Sequence, residues 1–264
     1  MYEHLSNNLV VTYGTPYITI IDGLTMGSTA GTAVLGQYSV ATERTVFAMP
    51  EAQIGFFPDG GCSYSFPRLR KHLGWYLALT GQKLKGPDVV KAGLATHYCD
   101  SKNVPDLEQA LLTKDSSVEE VLKKFNKVID TDFSMESLLD QIDYCFSGET
   151  IEEVVARLSS DDSEWGKKTL NILNRMSPTS LKIIFRELAM GKKLSKKECF
   201  LMEYRLAINC LNSKDFREGI RALLMERDAK PKWDPPTLSQ VSDEYVESFF
   251  REMPGEEELR AELT

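Results

Sequence analysis

The hydrophobic positions of this chain change period near residue 105. Up to about residue 100 the apolar runs are short, rich in β-branched and aromatic residues, and bounded by turn formers: "PYITIID" at 16–22, "QYSVATE" at 37–43, "TVFAMP" at 45–50 and "LATHYCD" at 94–100. Such runs predict strands. Between the first two lies "GLTMGSTAGTAVLG" (23–36), where small residues give way to a short apolar helix pattern. The order is strand, tight turn, helix, strand, which is an α/β arrangement. "RKHLGWYLALTG" (70–81) and "GPDVVKAG" (86–93) predict two short helices, each closed by a glycine just past its end.

From there on the strand pattern is gone. "LEQALL", "VEEVLKKF", "MESLLDQIDYCF", "IEEVVARL", "SEWGKKTLNILNRM", "PTSLKIIFREL" and "KKECFLMEYRLAINCL" all space their apolar residues for helices. The chain divides into an α/β core at 1–104 and a helical C-terminal region at 105–264. Asp130–Ser134 reads as a hinge, "GKKLSKKE" (191–198) as a solvated face and "GEEELRAEL" (255–263) as a frayed acidic helix end. Three or four strands from residue 16 onward make a thin sheet with open edges, which proteins cover or pair. The fold reads as though it began before Met1, and an open edge favours association between copies.

Composition narrows the function classes. The 264 residues suffice for one large domain or two small ones, with 42% apolar and 27% charged residues. Lys plus Arg number 31 against 39 Asp plus Glu, a net charge of −8. That balance argues against a nucleic-acid or anionic-membrane partner, and no apolar run reaches membrane length. Five widely spaced cysteines without a CxxC pair point to a reduced compartment and no structural zinc. The start "MYEHLSNNLV" carries neither signal-peptide nor transit-peptide character.

Two segments carry candidate chemistry. The turn "TMGSTAG" (25–31) joins a strand to a helix, and the unpaired N–H groups of a helix start accommodate an anion, or the oxyanion of an acyl-transfer reaction. Close helix–strand packing explains such glycines equally well. The segment "FAMPEAQIGFFPDGG" (47–61) sets Glu51 at the end of an apolar strand and Asp59 between Pro58 and Gly60. Desolvation at a half-buried strand end would raise the pKa of Glu51 toward a value useful for proton transfer. Asp59 is placed to accept a hydrogen bond from a substrate hydroxyl. Two surface turn acids are the plainer alternative. His97 reads as a packed core histidine, and Cys62 has no histidine near it in sequence to activate a thiolate. Arg68, Arg70, Lys71, Lys83 and Lys85 form a basic cluster that is either solvated surface or a seat for phosphates.

The gapped pattern "PYITIIDGLTMGSTAG…VATERTVFAMPEAQIGFFPDGG…LTGQKLKGPDVVKAGLATHYCD", with "MSPTSLKI", "MEYRLAINC", "DFREGIRALL" and "PKWDPP" further on, closely resembles the enoyl-CoA hydratase/isomerase (crotonase) superfamily and, within it, the 3-hydroxyisobutyryl-CoA hydrolases. The resemblance runs over nearly the whole chain. It implies a crotonase-like ββα spiral core, shortened at its N-terminal end, followed by a helical region that trims the site. It also implies a coenzyme A thioester as substrate, so coenzyme A enters as part of the substrate and no cofactor or metal is called for. By the same resemblance Glu51 matches the glutamate that activates water or attacks the thioester carbonyl, and Asp59 the aspartate that holds the 3-hydroxyl. Gly27 and Ser28 match the oxyanion turn, Ser28 standing at a glycine of the family whose N–H is one oxyanion donor. Glu3, in "YEHLSNN", lines up with a further acidic substrate-site residue.

The resemblance favours hydrolysis over hydration, because the second glutamate of the hydratases aligns with Gly31. The family's triple-glycine turn is here Gly27-Ser28-Thr29. The family strands that carry the other oxyanion donor have no counterpart in residues 1–15, so half of the oxyanion hole is expected to be missing. The readings that follow are a thioesterase of valine breakdown, a shortened non-catalytic or binding-only protein, or a hydratase or isomerase of the same superfamily. The family's setting is mitochondrial; with no transit peptide, a cytosolic location is the other expectation.

Overall fold

The computed structural model describes residues 2–113, 116–253 and 256–262, and the side chains of all of these except 2–4, 258 and 262. Among the described residues six short strands form two separate three-stranded sheets. The first holds β1 (Ile18–Ile21), β3 (Tyr38–Ala41) and β6 (His97–Tyr98), all parallel, with Ile18 opposite Tyr38 and Val40 opposite His97. The second holds β2 (Leu24–Met26), β4 (Val46–Ala48) and β5 (Leu84–Lys85); β2 and β4 run parallel, β4 and β5 antiparallel.

The pattern along the chain predicts one thin sheet, and the outcome differs for a local reason. Gly23, at φ 130°, turns the chain after β1 so that the next three residues leave the first sheet and pair with β4. Thr42 and Thr45 repeat the move on the neighbouring strand: the Thr42 N–H donates to Thr45 Oγ1 at 2.8 Å, and that hydroxyl donates to the Ile21 carbonyl. The two added strands, β2 and β5, are only three and two residues long, too short for a period-2 pattern to register.

The helices of the N-terminal part are α1 (Tyr2–Thr12), α2 (Ser28–Leu35), α3 (Cys62–Ser65), α4 (Leu73–Thr80) and α5 (Pro87–Lys91). Beyond β6 follow α6 (Val104–Thr113), α7 (Val118–Phe125), α8 (Leu139–Phe146), α9 (Ile151–Ser159), α10 (Glu164–Leu173), α11 (Pro178–Gly191), α12 (Lys196–Asn212), α13 (Lys214–Ile220), α14 (Asp243–Phe250) and α15 (Glu256–Glu262). Their starts are written in the sequence: Ser117 with Glu120, and Ser195 with Glu198, form reciprocal capping boxes, and Ser177 caps α11 ahead of Pro178. Gly81 closes α4 in the left-handed conformation.

All eight residues of α4 are buried, and its side chains join those of β4, α8, α9 and α11 in the main core. The predicted frayed tail is a docked helix instead. Glu256 is buried and receives Arg205 Nε at 2.7 Å, and Leu259 packs against Phe200 and Leu201. The predicted hinge is tied at Ser134, whose N–H and hydroxyl bond the Asp88 carboxylate at 3.1 and 2.5 Å. Among the described residues no helix is long and apolar enough to cross a membrane.

Candidate active site

One strand pair delivers three of the predicted site residues. In the β2–β4 register Met26 lies opposite Ala48, and the Gly27 N–H donates to the Ala48 carbonyl at 3.2 Å. The chain after β2 is therefore Gly27-Ser28, opening α2, and the chain after β4 is Met49-Pro50-Glu51, opening a 3-10 turn over Glu51–Ile54. The two turns touch. A Cβ on Gly27 would stand 3.0 Å from Glu51 Oε1, and Gly27 also has φ 66°, a conformation that favours glycine.

Glu51 is more deeply buried than a strand-end position suggests, at 6% exposure. Its Oε2 has no hydrogen-bond partner among the described residues. Burial raises its pKa from 4.5 to about 8, its own backbone N–H offsetting a little of that rise. The turn beneath it is clamped by the helical region. The Ser177 N–H donates to the Ala52 carbonyl at 3.2 Å, and Ser177 Oγ donates to Asp215 Oδ2 at 2.5 Å. A Cβ on Gly55 would stand 2.4 Å from the Asp215 carbonyl carbon, and one on Gly219 would stand 2.4 Å from Ile54 backbone atoms.

Asp59 is 5% exposed and sits at the head of a sharp turn, with φ 67° at Gly60 and 86° at Gly61. The backbone of α2 presses on this turn. A Cβ on Gly31 would meet the Asp59 carbonyl oxygen at 2.5 Å and Gly60 Cα at 2.9 Å, so no side chain fits at position 31 without displacing the loop. From the other side Glu203 of α12, fully buried, accepts from the Gly61 N–H at 2.9 Å, the Ser63 N–H at 3.1 Å and the Ser63 hydroxyl at 2.5 Å.

A shell of carboxylates closes around Cys62. Burial pushes its thiol well up, and Glu203, Glu51, Asp59 and Glu187 each push it further, which leaves it protonated and unfit as a nucleophile. Glu187 of α11 is itself fully buried, with neither oxygen partnered among the described residues. Burial and then the charges of Glu203, Asp59 and Glu51 raise its pKa well above the usual carboxylate range. Among the described residues no group of three or more His, Cys, Asp or Glu side chains is placed to hold a metal ion.

The remaining predicted residues fall as follows. Glu3 lies in α1, and its side chain is outside the described residues. His97 is only partly buried; it makes an edge contact with Tyr38, and burial lowers its pKa. The basic cluster separates. Arg68 donates to the carbonyls of Tyr64 at 2.6 Å and Gly191 at 2.9 Å, Arg70 pairs with Glu136 at 2.7 Å and Lys71 pairs with Asp140, while Lys83 and Lys85 stay exposed.

A family profile described as Enoyl-CoA hydratase/isomerase matches residues 2–250. The chain belongs to the enoyl-CoA hydratase/isomerase family. It is 45% identical to the mitochondrial 3-hydroxyisobutyryl-CoA hydrolase of Xenopus laevis and 43% identical to that of Homo sapiens, aligning over 98% of its own length and 69% of theirs. Among solved structures, a carnitinyl-CoA dehydratase from Mycobacterium thermoresistibile superposes with a TM-score of 0.88 at 31% identity, over 96% of this chain and 73% of that one. An enoyl-CoA hydratase from Rhodobacter sphaeroides gives a TM-score of 0.87 at 27% identity over the same shares. The crotonase-like α/β core with a helical C-terminal region, read from the sequence, is the fold of this family member.

The buried acids behind the site were not singled out from the sequence of this enoyl-CoA hydratase/isomerase family member, although two left a signal. Glu203 falls in the apolar stripe Cys199, Leu206, Cys210 of α12, and Glu187 in the stripe Ile184, Leu188, Gly191 of α11. An acid at a core-facing helical position is a buried charge awaiting partners.

Proposed function

We propose that this chain is a coenzyme A thioester hydrolase acting on 3-hydroxyisobutyryl-CoA in valine breakdown, with the mitochondrial setting that the names of its relatives carry. The observation that carries the reading is Glu51: a buried carboxyl with one unpartnered oxygen, lying against the Gly27-Ser28 turn at a helix start.

The thioester carbonyl binds with its oxygen toward the Ser28 N–H, and its carbon faces Glu51. In the general-base route Glu51 takes a proton from water as the hydroxide adds to the carbonyl carbon, and negative charge collects on the oxygen at the Ser28 N–H. The tetrahedral intermediate collapses with cleavage of the C–S bond. The coenzyme A thiolate takes the proton back from Glu51, which leaves 3-hydroxyisobutyrate and free coenzyme A. In the nucleophilic route Glu51 itself adds to the carbonyl and the C–S bond breaks with departure of the coenzyme A thiolate; water then cleaves the resulting anhydride to the Glu51 carboxylate and 3-hydroxyisobutyrate, one of its protons going to the thiolate and the other to solvent. Asp59 accepts the hydrogen bond of the 3-hydroxyl and so selects a hydroxylated acyl group. The closed space at Gly31 supports hydrolysis over hydration, since a second acid has no room at that position.

The test is release of free thiol from 3-hydroxyisobutyryl-CoA by the folded chain and by Glu51→Gln. Turnover by the parent and its near-complete loss in the variant support the proposal; equal rates in both sink it. A single turnover in ¹⁸O-water separates the routes, because only the nucleophilic route places label in Glu51.

A further inference from the structure

We infer that Glu203 is the positioning residue for Asp59 and thereby sets the preference for acyl groups carrying a 3-hydroxyl; this rests on the role proposed above for Asp59. Glu203 stands 142 residues beyond Gly61 in sequence, in the middle of α12, and is fully buried. Its carboxylate gathers the two N–H groups and the hydroxyl that follow directly on the Asp59 turn, at 2.5 to 3.1 Å. Those donors belong to Gly61 and Ser63, at the start of the four-residue helix α3, where helix geometry leaves N–H groups without partners. A carboxylate arriving from another helix satisfies them in place of a local capping side chain.

The consequence reaches Asp59 through the backbone. The Cys62 N–H donates back to the Asp59 carbonyl at 3.3 Å, so fixing Gly61 and Ser63 fixes the residue that closes on Asp59. Gly60 and Gly61 both hold left-handed conformations and carry no side chain to lock the turn themselves. The turn is set between two walls, the α2 backbone at Gly31 on one side and Glu203 on the other. Remove the Glu203 acceptors and two buried N–H groups lose their partner, which drives the turn to rearrange. Glu51, held through Ser177 and Asp215, depends on a different set of contacts. Loss of Glu203 therefore falls on recognition of the hydroxyl more than on attack at the carbonyl.

The experiment compares kcat/KM for two probes, 3-hydroxyisobutyryl-CoA and isobutyryl-CoA, in the parent chain, Glu203→Gln, Ser63→Ala and Asp59→Asn, each checked for a cooperative melt. The expected result is that Glu203→Gln lowers the ratio of the two values by about tenfold, toward that of Asp59→Asn, while isobutyryl-CoA hydrolysis changes by less than about twofold. Ser63→Ala removes one donor and is expected to lower the ratio by about threefold; it carries the test if Glu203→Gln does not fold. Equal loss on both probes, or an unchanged ratio, alongside a collapsed ratio in Asp59→Asn, overturns the positioning role and leaves the proposed function standing. A ratio that Asp59→Asn leaves untouched removes the hydroxyl anchor itself, and this inference with it.

Discussion

The α/β part and the helical part of this chain contribute to the site in opposite ways, and Glu51 and Glu203 show how. Both carboxyls are buried and both belong to the shell around Cys62. Glu51, from the end of a three-residue strand, keeps an oxygen without a partner and has its pKa raised to about 8. Glu203, from the middle of a 17-residue helix, is met by three donors and holds a loop in place. Burial alone does not make an acid reactive. The difference lies in whether the surroundings supply donors, because donors stabilise the charged form and use up the lone pairs that chemistry requires.

The strongest way to break this comparison is to neutralise Glu51. Glu51→Gln keeps the shape and removes the proposed base or nucleophile, so thiol release is expected to fall by about a thousandfold with the melt still cooperative. A loss below about tenfold would place the reactive acid elsewhere. Next in size is Gly31→Glu, the change that would install the missing hydratase acid. Its Cβ meets the Asp59 carbonyl at 2.5 Å, so the variant is expected to lose about 3 kcal/mol or more of stability and to gain no hydration of enoyl-CoA. Denaturant titration and an enoyl-CoA assay read both, and a stable hydratase would show that the loop yields.

The comparison is sharpened by pH. As the proposed base or nucleophile, Glu51 would act in its ionised form, so kcat/KM is expected to rise about tenfold per unit below pH 8 and to level off above it; a profile already flat from pH 5 to 9 would mean the carboxyl is ionised throughout. Smaller again is Ser177→Ala, which takes the hydroxyl donor from Asp215 and is expected to cost about 1–2 kcal/mol in a thermal melt. Stability and pH are also linked through Glu51. Between about 4.5 and 8 the folded chain keeps a proton on Glu51 that the unfolded chain has released, so Glu51 weakens the fold as pH rises through that window. Glu51→Gln is therefore expected to be relatively more stable at pH 8 than at pH 5, and an equal stability difference at both would show that the pKa of Glu51 stays at its ordinary value in the folded chain.

Much of this was legible in the sequence where local chemistry decides the outcome. The closing glycine at 81 and the helical stripes from residue 105 onward gave helices close to those observed. Glu51 and Asp59 stood out because proline and glycine surround them. What stayed hidden depends on partners distant in sequence. The split into two sheets follows from strands of two and three residues, which carry no readable period. The depth of Glu51 follows from α11 and α13 closing over its turn. Glu203 sat in an apolar stripe, but nothing near it in sequence names Gly61 and Ser63 as its donors.

The clamp on the Glu51 turn and the brace on the Asp59 turn have a consequence for how this protein is made. Glu51 and Asp59 leave the ribosome long before Ser177, Glu203 and Asp215, and elongation at about 5–20 residues per second leaves an interval of several seconds between them. During that interval neither turn has its holding partner, and both acids remain hydrated with ordinary affinities for protons. The site is therefore assembled late, as the last helices dock. A nascent chain released or stalled before Ser177 would carry Glu51 and Asp59 without the contacts that hold their turns.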